Sequence, residues 1–173
     1  GISFDDLDED GYLGDRCQSL THGEKPLIQC FKDANAEFEY LSGEIKQLKE
    51  NGVALTDICV VARTKKLVDD YVIQFTKAGI RSYVIKRNKT DDRNFDGLRV
   101  ATMHRVKGLE FKYVFVVAIN DRMMPLISAV NRMDSVSEAE SLVAERCLLY
   151  VALTRAQKGA YITSYGRQSE FII

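Results

Sequence analysis

The chain has 173 residues, 46% of them hydrophobic and 28% charged, with 24 basic against 25 acidic side chains for a formal net charge of -1. That length suits one domain with its own core, and the composition is globular rather than disordered or membrane-embedded. A near-neutral balance gives no global attraction to nucleic acid, so any such contact has to be local.

The cysteines Cys17, Cys30, Cys59 and Cys147 form no CxxC pair, and His22 and His104 are the only histidines, so no metal site is expected. Cys59 and Cys147 lie in apolar runs and read as buried thiols. No stretch approaches the roughly 18 apolar residues of a membrane span, and the amino terminus is acidic rather than basic-then-apolar. A soluble, cytoplasmic protein with no membrane partner is expected.

Residues 1–26 mix glycines with Asp5, Asp6, Asp8, Glu9 and Asp10 and carry no sustained apolar period. They read as an acidic linker or insertion; only Ile2 and Phe4 precede the carboxylates, too short a strand to build a metal site. From Leu27 to Ile173 the apolar period alternates between strand-like and helix-like, the pattern of an α/β domain with a mostly parallel sheet.

Leu27 to Phe31 predicts a strand. Asp33 or Asn35 then caps a helix bearing Phe38, Leu41, Ile45 and Leu48 at steps of three and four, ending at Asn51-Gly52. Ile58 to Ala62 (ICVVA) predicts a strand buried on both faces, followed by a helix with Leu67, Val68, Tyr71, Val72 and Phe75 that stops at Gly79. Short strands are expected at Ser82 to Ile85 and Leu98 to Ala101, with Lys86 to Gly97 as a loop. The most apolar strand runs from Tyr113 to Ile119. A polar, Met-rich stretch from Asn120 to Ser137 precedes a helix from Glu138 to Arg155, and Ala160 to Ser164 closes the domain.

No GxxxxGK[ST] loop is present, so the chain alone lacks the usual cradle for a triphosphate. A GxSxG elbow and a convincing pair of catalytic carboxylates are also missing. Three segments stand out instead. Arg63 and Thr64 follow the buried strand; TMHRVKGLEFKYVFV spans Thr102 to Val116; AERCLLYVALTRAQKGAYITS spans Ala144 to Ser164. Strand carboxyl ends form the ligand crevice of an α/β sheet, which puts Arg63 and the Thr102–Glu110 loop on one rim. Arg155 falls at the end of the long helix, where a guanidinium can face a partner surface. Glu145 and Arg146 read as members of an intramolecular salt bridge holding their segment, and Leu149 and Tyr150 as core beside Cys147 and Leu153.

The three segments, in this order, resemble motifs IV, V and VI of UvrD/Rep-type superfamily 1A DNA helicases, with their TxHxxKGLEF and ERRLxYVAxTRA-like blocks. The resemblance covers Leu27 to Ser164 and implies a carboxy-terminal, RecA-like domain of three layers without a phosphate loop of its own. It implies arginine fingers at Arg63 and Arg155 on the γ-phosphate of ATP, a ribose contact at Glu110 and close backbone approach at Gly108. Thr102, His104, Arg105 and Lys107 are implied to meet single-stranded DNA. ATP with Mg2+ is expected to be held mainly by an amino-terminal RecA-like domain of the same parent chain, so the fragment alone is expected to be inactive. Lys86 to Gly97 is far too short for the subdomain that large family members insert there, so the chain resembles compact members. A non-catalytic RecA-like interaction module of a repair or nuclease complex is the alternative.

Overall fold

The computed structural model describes residues 25–87 and 89–173; the reading of residues 1–26 as a linker falls almost wholly outside them. The first strand, β1 (Leu27–Phe31), leads into helix α1 (Ala34–Glu50). Asp33 begins this helix by accepting the Ala36 N–H at 2.8 Å, and the chain leaves it through Gly52 at φ 90°. Strand β2 (Ile58–Ala62) is buried at every position, and α2 (Lys65–Lys77) starts where the Thr64 hydroxyl accepts the Leu67 N–H at 3.2 Å. Then come β3 (Ser82–Val84), β4 (Leu98–Thr102), β5 (Phe111–Val116), α3 (Ser135–Leu153) and β6 (Ala156–Tyr165).

The six strands order as β1-β6-β5-β2-β4-β3, and every neighbouring pair is parallel. Successive side chains of a strand point to opposite faces, so β2 feeds two cores. Ile58, Val60 and Ala62 pack with Leu41, Ile45, Val68 and Phe75 under α1 and α2. Cys59 and Val61 pack with Met103, Val106, Leu149 and Ala152 under α3 on the other face. The result is a three-layer α/β/α domain, as expected. Cys59 is a free, buried thiol, whereas Cys147 is half-buried and disulfide-bonded, which corrects its reading as a thiol. Among the described residues no helix is long and apolar enough to cross a membrane.

Several boundaries move for local reasons. Helix α3 starts at Ser135 because the Asp134 carboxylate takes the Ser137 N–H at 2.8 Å. Strand β5 starts at Phe111, whose N–H donates to the Arg155 carbonyl at 2.9 Å, and regular pairing ends before Ala118, which adopts φ 56°. Strand β6 runs back to Ala156 through the polar Gln157 and Lys158, since ladder bonds use backbone and tolerate exposed side chains at a sheet end.

Arg99 sits inside β4 with 0% exposure. Its guanidinium donates to Asp91 Oδ1 at 3.0 Å, to the Phe95 and Gly97 carbonyls at 2.7 Å each and to the Asp92 carbonyl, and it lies over the Tyr83 ring. Desolvating a guanidinium costs several kcal/mol unless every donor is matched. The segment after β3 is therefore irregular, as expected, yet its second half is wrapped around one buried arginine.

A second buried charge holds the turn after β5. Glu37 on α1 accepts the Tyr71 hydroxyl and, at 3.1 Å, the N–H of Ala118. The left-handed conformation of Ala118 costs about 1–3 kcal/mol for a residue with a side chain, and the carboxylate offsets part of it. Burial pushes the Glu37 carboxyl above its ordinary value of 4.5, against the hydrogen bonds that favour its charged form. A raised folded-state value means that its contribution to stability is full below pH 4.5 and declines as pH rises through the native value. Urea unfolding of wild type and Glu37→Gln across that range should show their stability difference changing with pH, wild type losing ground as pH rises. A pH-independent difference would exclude the linkage.

Candidate functional site

Parallel pairing decides where the predicted residues go. Thr102 ends β4 at the carboxyl edge of the sheet and Phe111 starts β5 at the amino edge, so residues 103–110 must cross the α3 face between them. A five-residue parallel strand separates those edges by about 15 Å. The expectation that Arg63 and the whole Thr102–Glu110 loop share one rim is therefore corrected. The loop opens on that rim and finishes at the opposite one.

At the carboxyl edge, Arg63 follows β2 and is only 8% exposed. Its Nε donates to Glu145 Oε2 at 3.1 Å and its Nη2 to Glu145 Oε1 at 2.6 Å, a two-point ion pair between β2 and the middle of α3. Glu145 Oε2 also accepts the Leu126 N–H at 2.9 Å and so pins the segment between β5 and α3. The expected salt bridge at Glu145 exists with Arg63 as partner, while Arg146 lies over the Phe171 ring at 4.8 Å. Thr102 is half-buried and its carbonyl accepts the Arg105 N–H at 3.0 Å, closing a turn that presents an exposed His104. Partial desolvation and then the nearby Arg63 charge, against the opposing pull of Glu145, hold His104 below the ordinary imidazole value of 6.5. The neutral form of the ring is thereby favoured. Lys107 is exposed as the chain starts down the face.

At the amino edge, Gly108 takes φ 81° with nothing within 4 Å of where a Cβ would stand. Its backbone angle, rather than crowding, is what calls for glycine. Glu110 is exposed and accepts Gln157 Nε2 at 3.0 Å, a partner that sequence reading missed because a lone polar residue at a strand start carries no pattern. Arg155 is half-buried between α3 and β6. Its Nε donates to the Val151 carbonyl at 3.1 Å, its Nη1 to the Leu109 carbonyl at 3.5 Å and its Nη2 to Thr154 Oγ1 at 3.2 Å. The guanidinium is thus folded against the last turn of α3, where helix carbonyls lack partners. At about 1.5 Å rise per residue, Arg155 lies roughly 15 Å along the helix from Glu145. Arg63 and Arg155 are not brought together. Among the described residues no group of three or more His, Cys, Asp or Glu is placed to hold a metal ion.

A family profile described as the UvrD-like helicase C-terminal domain matches residues 84–167, which contain both sharper sequence blocks and every predicted site residue except Arg63. Residues 84–167 are a UvrD-like helicase C-terminal domain. It is 34% identical to YjcD of Bacillus subtilis over 128 residues, covering 72% of this chain and 16% of YjcD. It is 30% identical to the ATP-dependent DNA helicase Rep of Buchnera aphidicola over 105 residues, 60% of this chain and 14% of Rep. The chain thus spans a sixth or less of the length of these relatives. Its fold superposes on the carboxy-terminal domain of a possible DNA helicase from Lactobacillus plantarum with a TM-score of 0.66 at 17% identity, covering 92% of this chain and 88% of that one. The fold is RecA-like.

The buried Arg63–Glu145 pair sets a stability test. Removing one partner of a buried pair leaves the other charge unmatched, so Glu145→Ala should cost about 3–5 kcal/mol in urea unfolding, against about 0–1 kcal/mol for a surface pair. Arg63→Met combined with Glu145→Leu should recover much of that loss. Strict additivity of the single changes would show that the two side chains are not coupled.

Proposed function

We propose that this domain is the second RecA-like motor domain of an ATP-dependent DNA helicase or translocase, and that it supplies half of a composite ATP site. The observation that carries the reading is the amino-edge junction, where the Arg155 guanidinium reaches the Leu109 carbonyl and the next residue, Glu110, accepts from Gln157, close in the chain to the open backbone of Gly108. An amino-terminal RecA-like domain of the same parent chain would hold the triphosphate and its Mg2+, and the 173-residue chain alone would not turn over ATP.

In that arrangement Glu110 accepts a hydrogen bond from a ribose hydroxyl, and Gly108 leaves room for the nucleotide. As water attacks the γ-phosphorus and the bond to the β–γ bridging oxygen breaks, charge spreads over the γ-phosphoryl oxygens and the departing ADP. Arg155, released from the Val151 and Leu109 carbonyls, stabilises that charge with a planar, permanently protonated fork. Arg63 does not join it; held by Glu145, it fixes the position of α3 and hence of Arg155. At the other edge Thr102, His104, Arg105 and Lys107 offer a hydroxyl, a neutral ring and two cations to a single strand.

One observation favours the non-catalytic alternative: the bond from Arg155 to the Val151 carbonyl is also what a simple helix-end arginine makes. Kinetics of the parent enzyme separate the two. A transition-state contact appears in turnover, and an arginine finger is worth about 10³–10⁵ in rate. Arg155→Ala should keep its fold and single-strand affinity while losing nearly all DNA-stimulated ATPase, and Arg155→Lys should also be poor because it lacks the fork. Near-normal turnover in Arg155→Ala would return Arg155 to a capping role and support the alternative.

A further inference from the structure

A cavity of about 660 Å3 opens at the carboxyl edge beside the Thr102–Arg105 turn. Lys65 at the start of α2, Lys86 and Arg87 after β3, and Arg105 bring four cations to its wall, against the single carboxylate of Asp69. Val84 and Ile85 give it an apolar side. In a chain whose formal net charge is -1, this is a local concentration of positive charge. Its rim is also held in place. The Ile85 N–H donates to the Val100 carbonyl at 3.0 Å, and from Asp91 onward the segment is wrapped around Arg99.

We propose that Lys86 and Arg87, in the short segment between β3 and β4, bind the phosphodiester backbone of a nucleic-acid strand and extend the track that begins at Thr102 and Arg105. The inference rests on the reading of that turn as a nucleic-acid contact and adds two residues outside it. Cations spread over a cavity of this size suit successive phosphates better than one phosphate group. The apolar wall suits a base or sugar, which an inorganic anion does not need. The cavity lies at the opposite edge from Gly108, Glu110 and Arg155, so it is not the nucleotide half-site. The segment after β3 thereby contributes to strand binding itself, without an inserted subdomain.

Single-strand affinity falls with salt by about 0.7 logarithmic units per phosphate contact, so contacts can be counted. The parent enzyme and its Lys86→Gln/Arg87→Gln variant would be titrated with fluorescein-labelled oligo-dT across a salt series. The double variant should bind more weakly, with a salt slope shallower by about 1.4. The charge-preserving Lys86→Arg/Arg87→Lys variant should keep the slope. Both side chains are exposed, so the substitutions spare the core. An unchanged affinity and slope in the Gln variant, while His104→Ala binds more weakly, would overturn the cavity proposal and leave the turn reading standing. No change in either variant would overturn both.

Discussion

The bidentate ion pair between Arg63 and Glu145 is the constraint on which the arrangement of the site depends. Two charges are taken out of water between a central strand and the opposing helix, which is tolerable only because the Leu126 N–H completes the coordination of the carboxylate. An apolar contact at this place tolerates sliding, because dispersion is non-directional. A two-point guanidinium–carboxylate contact does not, since its geometry is planar and its desolvation penalty is paid whether or not the bonds form. It sets the rotation and height of α3 over the sheet.

From that fixed point two segments run between the edges of the sheet. Helix α3 carries the constraint from Glu145 to the turn containing Arg155, and the segment from Met103 to Glu110 crosses the same face from the His104 turn to Gly108. They meet again at the amino edge, where Phe111 N–H donates to the Arg155 carbonyl and the Arg155 side chain reaches the Leu109 carbonyl. Under the proposed function, a shift of the strand-binding edge would reach the phosphate-facing arginine through α3 and through the turns packed against it. Packed cores respond to such shifts by discrete rearrangement rather than gradual deformation.

Much of this was legible in the sequence where the signal is local. A cap at Asp33 or Asn35, of which the structure uses Asp33, the glycine stops at Gly52 and Gly79, the fully apolar β2 and the two long sequence blocks each declare themselves within a few residues. Four features were not legible, and all four are non-local. That residues 103–110 divide between two edges follows from β5 running parallel to β2, which no single segment reveals. The pairing of Arg63 with Glu145 joins residues 82 positions apart. Arg99 stands in a short strand with no local signal of burial, and only the fold shows carbonyls and a carboxylate converging on it. Residues 65, 86, 87 and 105 likewise form a cationic wall only once α2, β3 and β4 lie side by side.

Under the proposed function Arg155, and not Arg63, is the phosphate-facing arginine of this domain. A crystal structure of the parent enzyme trapped with Mg-ADP, aluminium fluoride and a single-stranded oligonucleotide reads it directly. The predicted result has the Arg155 guanidinium off the Val151 carbonyl and on the fluoride, with Glu110 at the ribose and Arg63 still paired to Glu145. A fluoride contacted only by the other domain, with Arg155 still folded against the end of α3, would contradict it.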